Sequence, residues 1–525
     1  MAYTGQVVKI PLGDYGILTD MAPGDLPLGA LIEAKNVVVN NGTVQKAPGS
    51  YVHNPYNQLD GAIVAMFDWF PEPTKQRLIV ATETGKIYRD TDRTFNLATP
   101  ITTGLPTINP RSMFVEAGNE TAGRNKKLFL FTDGRAQLRV LNGDGTTTAD
   151  ISSPATDWAS SNYPRVGVVH RNRLWAFSGQ RAYASNTGDH ENFTTSILTQ
   201  SVFPGEGGDI IGAQVFKGRL FVWKENDFIY YLDDSAADSS TWFWRQVSSS
   251  FGLASPNSIV AALDDLLSGN STGSVTSYKA VDAFGDIESG DLFRMAGMER
   301  YLRRTTHPLG IEFMHSLYDQ ELKQLYFTYR STYVNYNDML INVDMNRQRP
   351  RITYLQKGTP TSLALRKNIN GIQVPIYGNK DGYVHVMNQE DRLEGATAYE
   401  GAFQTAFHDF DNVQDGLGAQ QKQFDFIWVE YVPEADVDLS IDVYIDGKFY
   451  ETVSTKLELA NEELGQFLLG TDRLGQYTTV TNPIPIHGMG RRVSFRVYNS
   501  GSNQSFQIAN IDVGFRPTEH GATRY

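Results

Sequence analysis

The stretch Arg173-Leu174-Trp175-Ala176-Phe177-Ser178-Gly179, with Ala182-Tyr183-Ala184 close behind, carries the fold. A basic residue opens four apolar ones, a Ser-Gly turn follows, and a second short apolar run returns. Such runs, rich in aromatic and β-branched types, read as strands buried on both faces. The phrase recurs. Arg77-Leu78-Ile79-Val80-Ala81 leads through Gly85 to Ile87-Tyr88, and Lys127-Leu128-Phe129-Leu130-Phe131 through Asp133-Gly134 to Leu138-Arg139-Val140. Arg219-Leu220-Phe221-Val222-Trp223 leads through Glu225-Asn226-Asp227 to Phe228-Ile229-Tyr230-Tyr231. Weaker copies start at Leu266, Leu325 and Val374, so the leading positions lie 50, 46, 46, 46, 59 and 49 residues apart. A helical insertion near Gly290 to Arg304 accounts for the long gap.

A hairpin recurring every ~40–50 residues has the spacing of β-propeller blades, each burying its faces only against its neighbours. The expectation is an all-β chain. Residues 1–50 form an entry segment and strand, and 51–395 a β-propeller of six or seven blades. Residues 396–525 form an antiparallel β-sandwich-like domain. In that last region Leu439, Ile441, Val443 and Ile445 alternate with Ser440, Asp442 and Tyr444 before the Asp446-Gly447 turn. Val493, Phe495 and Val497 alternate in the same way, which places one face in a core and one in solvent. Within it, Leu457 to Leu469 reads as helical.

Composition excludes several classes of protein. The 525 residues are 41% hydrophobic, enough for a sizeable core, and contain no cysteine, which removes disulfides, thiolate zinc sites and cysteine nucleophiles. Met1 to Leu12 has neither a basic n-region nor an apolar h-region, so no signal peptide is expected, and no apolar stretch is long enough to span a bilayer. With 46 Lys+Arg against 59 Asp+Glu the net charge is −13, which argues against gripping nucleic acid through its phosphates.

No catalytic, cofactor-binding or metal site is expected. The nine histidines are scattered, and His190, within Gly188-Asp189-His190-Glu191-Asn192-Phe193, reads as a solvated turn residue beside its acidic neighbours. Asn142-Gly143-Asp144-Gly145 lacks calcium-loop spacing and reads as a hairpin tip. Gly205-Glu206-Gly207-Gly208-Asp209 is not followed by the Lys-Ser/Thr and helix that cradle phosphates. No Gly-x-Ser-x-Gly elbow occurs. The pairs Asp233-Asp234 and Asp264-Asp265 are the residue types of a glycosidase, but surface solvation explains them as well. Arg300, Arg303 and Arg304 on the inserted helix suit contact with DNA or an acidic partner, or simply the helix dipole.

Several phrases in order resemble the tail nozzle (tail hub or tubular) proteins of short-tailed bacteriophages. They are Leu31-Ile32-Glu33-Ala34-Lys35-Asn36-Val37 with Pro48-Gly49, Ala184-Ser185-Asn186-Thr187-Gly188-Asp189-His190-Glu191-Asn192-Phe193, Phe251-Gly252-Leu253-Ala254-Ser255-Pro256-Asn257-Ser258-Ile259-Val260, and Phe284-Gly285-Asp286-Ile287. The likeness covers most of residues 30–390 in layout, and none of the phrases is catalytic. It implies a non-enzymatic structural protein of the virion tail, made in the host cytoplasm and assembled as a homohexameric ring. The implied partners are the portal and adaptor complex, tail fibres, spikes or a needle, and duplex DNA that passes through the lumen during genome ejection without specific binding. The alternative reading is a propeller glycosidase or depolymerase, or a carbohydrate-binding surface protein.

Overall fold

The computed structural model describes residues 5–518 apart from 23, 41, 91–98, 103, 119–125, 143–147, 195–197, 227, 249–251, 282–285, 332–335, 346–349 and 459–477. All seven leading positions of the repeat fall on the second strand of a four-stranded antiparallel unit. These strands are Lys75–Thr82, Lys126–Phe131, Arg173–Ser178, Arg219–Lys224, Asp265–Gly269, Gln324–Tyr329 and Gln373–Asn379. The units are blades 1 to 7.

Their inner strands are Ile63–Glu72, Met113–Gly118, Val166–His170, Ile210–Phe216, Ile259–Ala262, Ser316–Asp319 and Pro360–Lys367. Each packs on the next, and the seventh packs back on the first. The chain is an all-β propeller with an added sandwich-like body.

The continuous apolar runs follow from this geometry, because a second strand lies mid-blade with a neighbouring blade on either face. Leu174 and Ala176 enter the core shared with blade 2, beside Phe129, Phe131 and Tyr183. Trp175 and Phe177 enter the core shared with blade 4, beside Leu220 and Val222. In blade 2, Leu128 and Leu130 face blade 1 while Phe129 and Phe131 face blade 3. Alternation is present, but both sides are apolar.

The ring is closed by the N-terminal chain. Gly49–Val52 is the outer strand of blade 7, pairing with Val384–Gln389. Asn54 fastens it, donating from Nδ2 to the Gly382 carbonyl at 3.1 Å and accepting the Val384 N–H at 2.8 Å. Gly382 (φ +82) has the Leu59 backbone against the place a Cβ would occupy, so the Asp381-Gly382 turn needs glycine twice over.

Pairing crosses the expected boundary at residue 50. One sheet of the second body joins Val37–Asn40, Thr43–Lys46, Gln507–Pro517 and Lys422–Tyr431, with Gln6–Pro11 also on Gln507–Pro517. The other joins Leu31–Lys35, Gly401–Thr405, Val493–Asn499, Val437–Ile445 and Lys448–Leu457. Residues 1–50 are therefore not a separate entry segment: their strands complete both sheets and blade 7. The first strand of the second sheet also meets the outer strand of blade 6, Lys35 opposite Tyr354. One apolar core runs through both sheets and on into blades 5 and 6, from Ile10 and Val39 to Leu267, Phe327 and Phe515.

The expected alternation of Leu439 to Ile445 is present, and Asp446 (φ +50) with Gly447 (φ +81) makes the turn. The helical insertion is present as Leu292–Ala296 and Glu299–Thr305. Leu457 ends a strand rather than beginning a helix, because its side chain belongs to the sandwich core; the rest of that expected helix, from residue 459, lies outside the described residues. The tip at Asn142–Gly145 lies outside them from residue 143 onward.

Candidate functional site

Blades 2 and 5 stand three places apart in a ring of seven, so direct contact between them has to cross the axis. It does. The Pro110 carbonyl, just ahead of the inner strand of blade 2, accepts from Asn257 Nδ2 of blade 5 at 2.8 Å and from His315 Nε2 of blade 6 at 2.7 Å. Asn257 Nδ2 also reaches the Ser112 carbonyl at 3.0 Å. A carbonyl only accepts, so Nε2 carries the proton, leaving Nδ1 facing the Leu363 N–H at 3.5 Å. His315 is fully enclosed, and burial pushes its pKa down to about 4. Blades 2, 5 and 6 are thus joined across the propeller axis at this rim by a neutral, hydrogen-bonded hub.

Beside the hub lies a cavity of about 290 Å³, lined by Val64, Glu83, Ile108, Arg135, Tyr336 and Asn337, among others. Asn337 is held by two donations from Nδ2, to the Phe313 carbonyl at 2.8 Å and to Thr328 Oγ1 at 3.0 Å. Its Oδ1 is buried with no hydrogen-bond partner among the described residues. Glu83 accepts the Ala62 N–H at 3.2 Å, and Arg135 donates from Nη1 to the Thr107 carbonyl at 3.2 Å. Tyr336 is 37% exposed at the mouth. The Glu83 charge, then partial burial, raises its phenol above the ordinary value. No spacing in the sequence points to this group, because its members come from the inner strand of blade 1, the connection to blade 2, and turns of blades 1, 2 and 6.

Ser50, His385 and Glu394 have the composition of a nucleophilic triad but not its order. Ser50 Oγ donates to Glu394 Oε1 at 2.7 Å and lies 3.2 Å from His385 Nδ1, so the serine bypasses the imidazole that would have to activate it. The adjoining cavity is about 10 Å³, room for about one water. Burial lowers His385 to about 4. Lys357 Nζ stands 3.4 Å from Glu394 Oε2, and the Tyr377 hydroxyl donates to Oε1. This cluster ties the closing strand of blade 7 to its neighbours.

His190 is buried at 3% exposure rather than solvated, because its loop folds inward: Phe193 N–H reaches the Ser153 carbonyl at 2.9 Å, and its ring packs on Trp158. The carboxylate pairs diverge. Asp233 holds Arg245 Nε at 2.7 Å, while Asp234 sits between His170 Nε2 at 2.8 Å and Arg171 Nε at 2.6 Å. Asp264 is exposed beside Lys217, and Asp265 is buried against Ser277. The loop of Gly205 to Asp209 wraps a lysine of its own chain, since Lys224 Nζ donates to the Phe203 and Glu206 carbonyls at 2.8 and 2.5 Å. Arg300 and Arg304 are exposed; nothing is described of the Arg303 side chain. Among the described residues no three His, Asp or Glu side chains gather as a metal site, and no helix is long and apolar enough to cross a membrane.

No family model and no curated protein matches this chain. Among solved structures it is similar to the computationally designed Ika8 protein, at 10% identity and a TM-score of 0.38, covering 65% of this chain and 99% of that one. It is also similar to the β-propeller domain of Myceliophteria thermophila Cps50 (Swd1), at 9% identity and a TM-score of 0.39, with the same coverage.

Proposed function

We propose that the protein is a structural component of a short-tailed bacteriophage virion, a homohexameric tail nozzle. Such a ring extends the ejection channel below portal and adaptor and carries fibres, spikes or a needle. The observation that carries this reading is mechanical. The first and last described strands, Gln6–Pro11 and Gln507–Pro517, pair within one sandwich whose core continues into blades 5 and 6. A propeller and a sandwich that share one apolar core suit a part that must hold its shape while joined to others. The order of phrases over residues 30–390 supports the same reading, as does a net charge of −13, which would let DNA pass without being gripped.

The enzymatic alternative finds less support at the residues that suggested it, since each carboxylate pair is split between separate partners. The test is negative-stain imaging of the purified full chain, alone and with the cognate adaptor. Six-fold rings with a central hole in either sample are the expected result. Monomers in both, or release of reducing sugar from host capsule or lipopolysaccharide, would overturn it.

A further inference from the structure

We propose that blade 4 joins copies of this chain head to tail, the basic end of the blade docking on the acidic end of the same blade in the next copy. The inference rests on the ring of the tail-nozzle reading and names the contact that closes it. The second strand of the blade, Arg219–Lys224, spans ~17 Å at ~3.4 Å per residue, so its two ends lie on opposite rims of the propeller. That distance exceeds a Debye length of ~8–10 Å, and each end presents its own charge.

At the first end the Arg219 guanidinium lies over the Tyr231 ring, 5.2 Å from its centroid, and that of Arg245 over the exposed Phe243 ring at 4.8 Å. Tyr231 stands opposite Arg245 in the strand register, which sets the four side chains in one strip. Arg245 is held by Asp233, whereas the exposed Arg219 guanidinium makes no hydrogen bond or ion pair among the described residues. An arginine laid on an aromatic ring has given up side-chain freedom in advance, so its fork takes a carboxylate at a reduced entropic cost.

At the other end Phe203 has φ +42, an outlier for so bulky a residue, and Lys224 Nζ donates to its carbonyl at 2.8 Å. One face of its ring stacks on Tyr230 with centroids 4.8 Å apart, so its 38% exposure falls on the other face and the edge. Glu206, whose carbonyl takes the same lysine, and Glu225, the residue after that lysine, are exposed at this end. Their carboxylates form no ion pair among the described residues. In a chain of net charge −13 most surfaces of two copies repel. Contact is favoured where the arginine strip of one copy meets the aromatic and acidic end of another. Because the two ends differ and face opposite ways, the contact is heterologous, the kind that repeats around a ring instead of stopping at a pair.

Sedimentation velocity and negative-stain imaging of the full chain, alone and with the cognate adaptor, test it. Arg219 and Glu225 are both exposed, so reversing their charge leaves the core untouched, which circular dichroism checks. Arg219→Glu and Glu225→Arg should each weaken ring formation about a hundredfold by setting like charges against each other. The two reversals combined in one chain should restore it. Rings that persist in both single variants, or a loss that the double reversal does not restore, would overturn the proposal and leave the nozzle reading standing. A wild-type chain that never forms rings would overturn both. Duplex DNA retained by the wild type and released by Arg219→Glu would assign the strip to nucleic acid and overturn the proposal as well.

Discussion

Asp90 of blade 1 is the place where ring closure is most open to measurement. Its side chain is fully buried, with Oδ2 2.7 Å from Arg366 Nη2 of blade 7 and Oδ1 accepting the Leu78 N–H at 2.6 Å. His53, on the N-terminal chain beside the closing strand, contacts the same guanidinium. Burial lowers the His53 pKa, so the histidine enters this contact neutral and Asp90 is the counter-charge in direct contact. Asp90→Ala should cost about 3–5 kcal/mol, because it leaves a buried cation unpaired. Arg366→Met should cost a similar amount by leaving the carboxylate. The double variant removes both charges and leaves chiefly the Leu78 amide unsatisfied, a cost of about 1–3 kcal/mol. It should therefore be more stable than either single variant. Amide hydrogen exchange over residues 360–389 and 63–90 reads local opening of the seam without requiring reversible unfolding of the whole chain. Additive effects, or a neutral Asp90→Ala, would refute the argument that this pair staples the ring.

Four further outcomes are expected. Leu128→Ala, Leu174→Ala and Leu220→Ala occupy equivalent, fully buried sites and should each cost about 2–5 kcal/mol in thermal or urea unfolding, with a fully stable variant at all three contradicting the repeat alignment. Burial holds His315, His385 and His408 at about 4, against about 6.5 when unfolded. Stability should thus be full above pH ~6.5 and fall towards pH 4, by roughly 3 kcal/mol per histidine at most; a flat profile across that window would refute the assignment. A fragment of residues 396–525 should fail to fold alone and recover strand signal by circular dichroism when residues 1–48 are supplied, since the sheets draw strands from both. Fluorescence anisotropy at two salt concentrations should detect no duplex DNA binding at physiological salt, and micromolar binding that weakens steeply with salt would overturn the conduit reading.

What the sequence showed and hid follows from burial geometry. Second strands are legible because both faces are covered, so Leu174-Trp175-Ala176-Phe177 has no polar position to break the run. Outer strands are not: Thr148–Asp150 is short and half in solvent, and no periodicity survives in three residues. Gly49–Val52 was beyond reach for another reason, since its partner Val384–Gln389 lies more than 330 positions away and register between distant segments leaves no local mark. The charged neighbours of His190 pointed towards solvent, but the packing of Phe193 on Trp158 overrode them. Glu83, Arg135 and Asn337 are ordinary turn residues in the sequence; only the ring brings their blades together at one mouth.

The hub that spans the axis also fixes what a conduit built from this chain must look like. The Asn257–Pro110–His315 contacts cross the propeller's own axis, so a duplex cannot thread a single copy. Any channel has to lie between copies, with its wall made of blade edges, turns or sandwich strands rather than inner strands. The charge argument then applies to those outer surfaces. Here the acidic groups pair widely with neighbouring cations: Asp233 with Arg245, Asp157 with Arg181, Asp436 with Lys456. Such exposed pairs contribute little to stability, but they spread the two signs finely. Over a Debye length of ~8–10 Å a finely mixed surface presents chiefly its net excess, which in this chain is acidic. A wall of that kind repels DNA weakly and evenly. In the nozzle reading, passage between copies depends on that even repulsion and needs no dedicated site on the lumen.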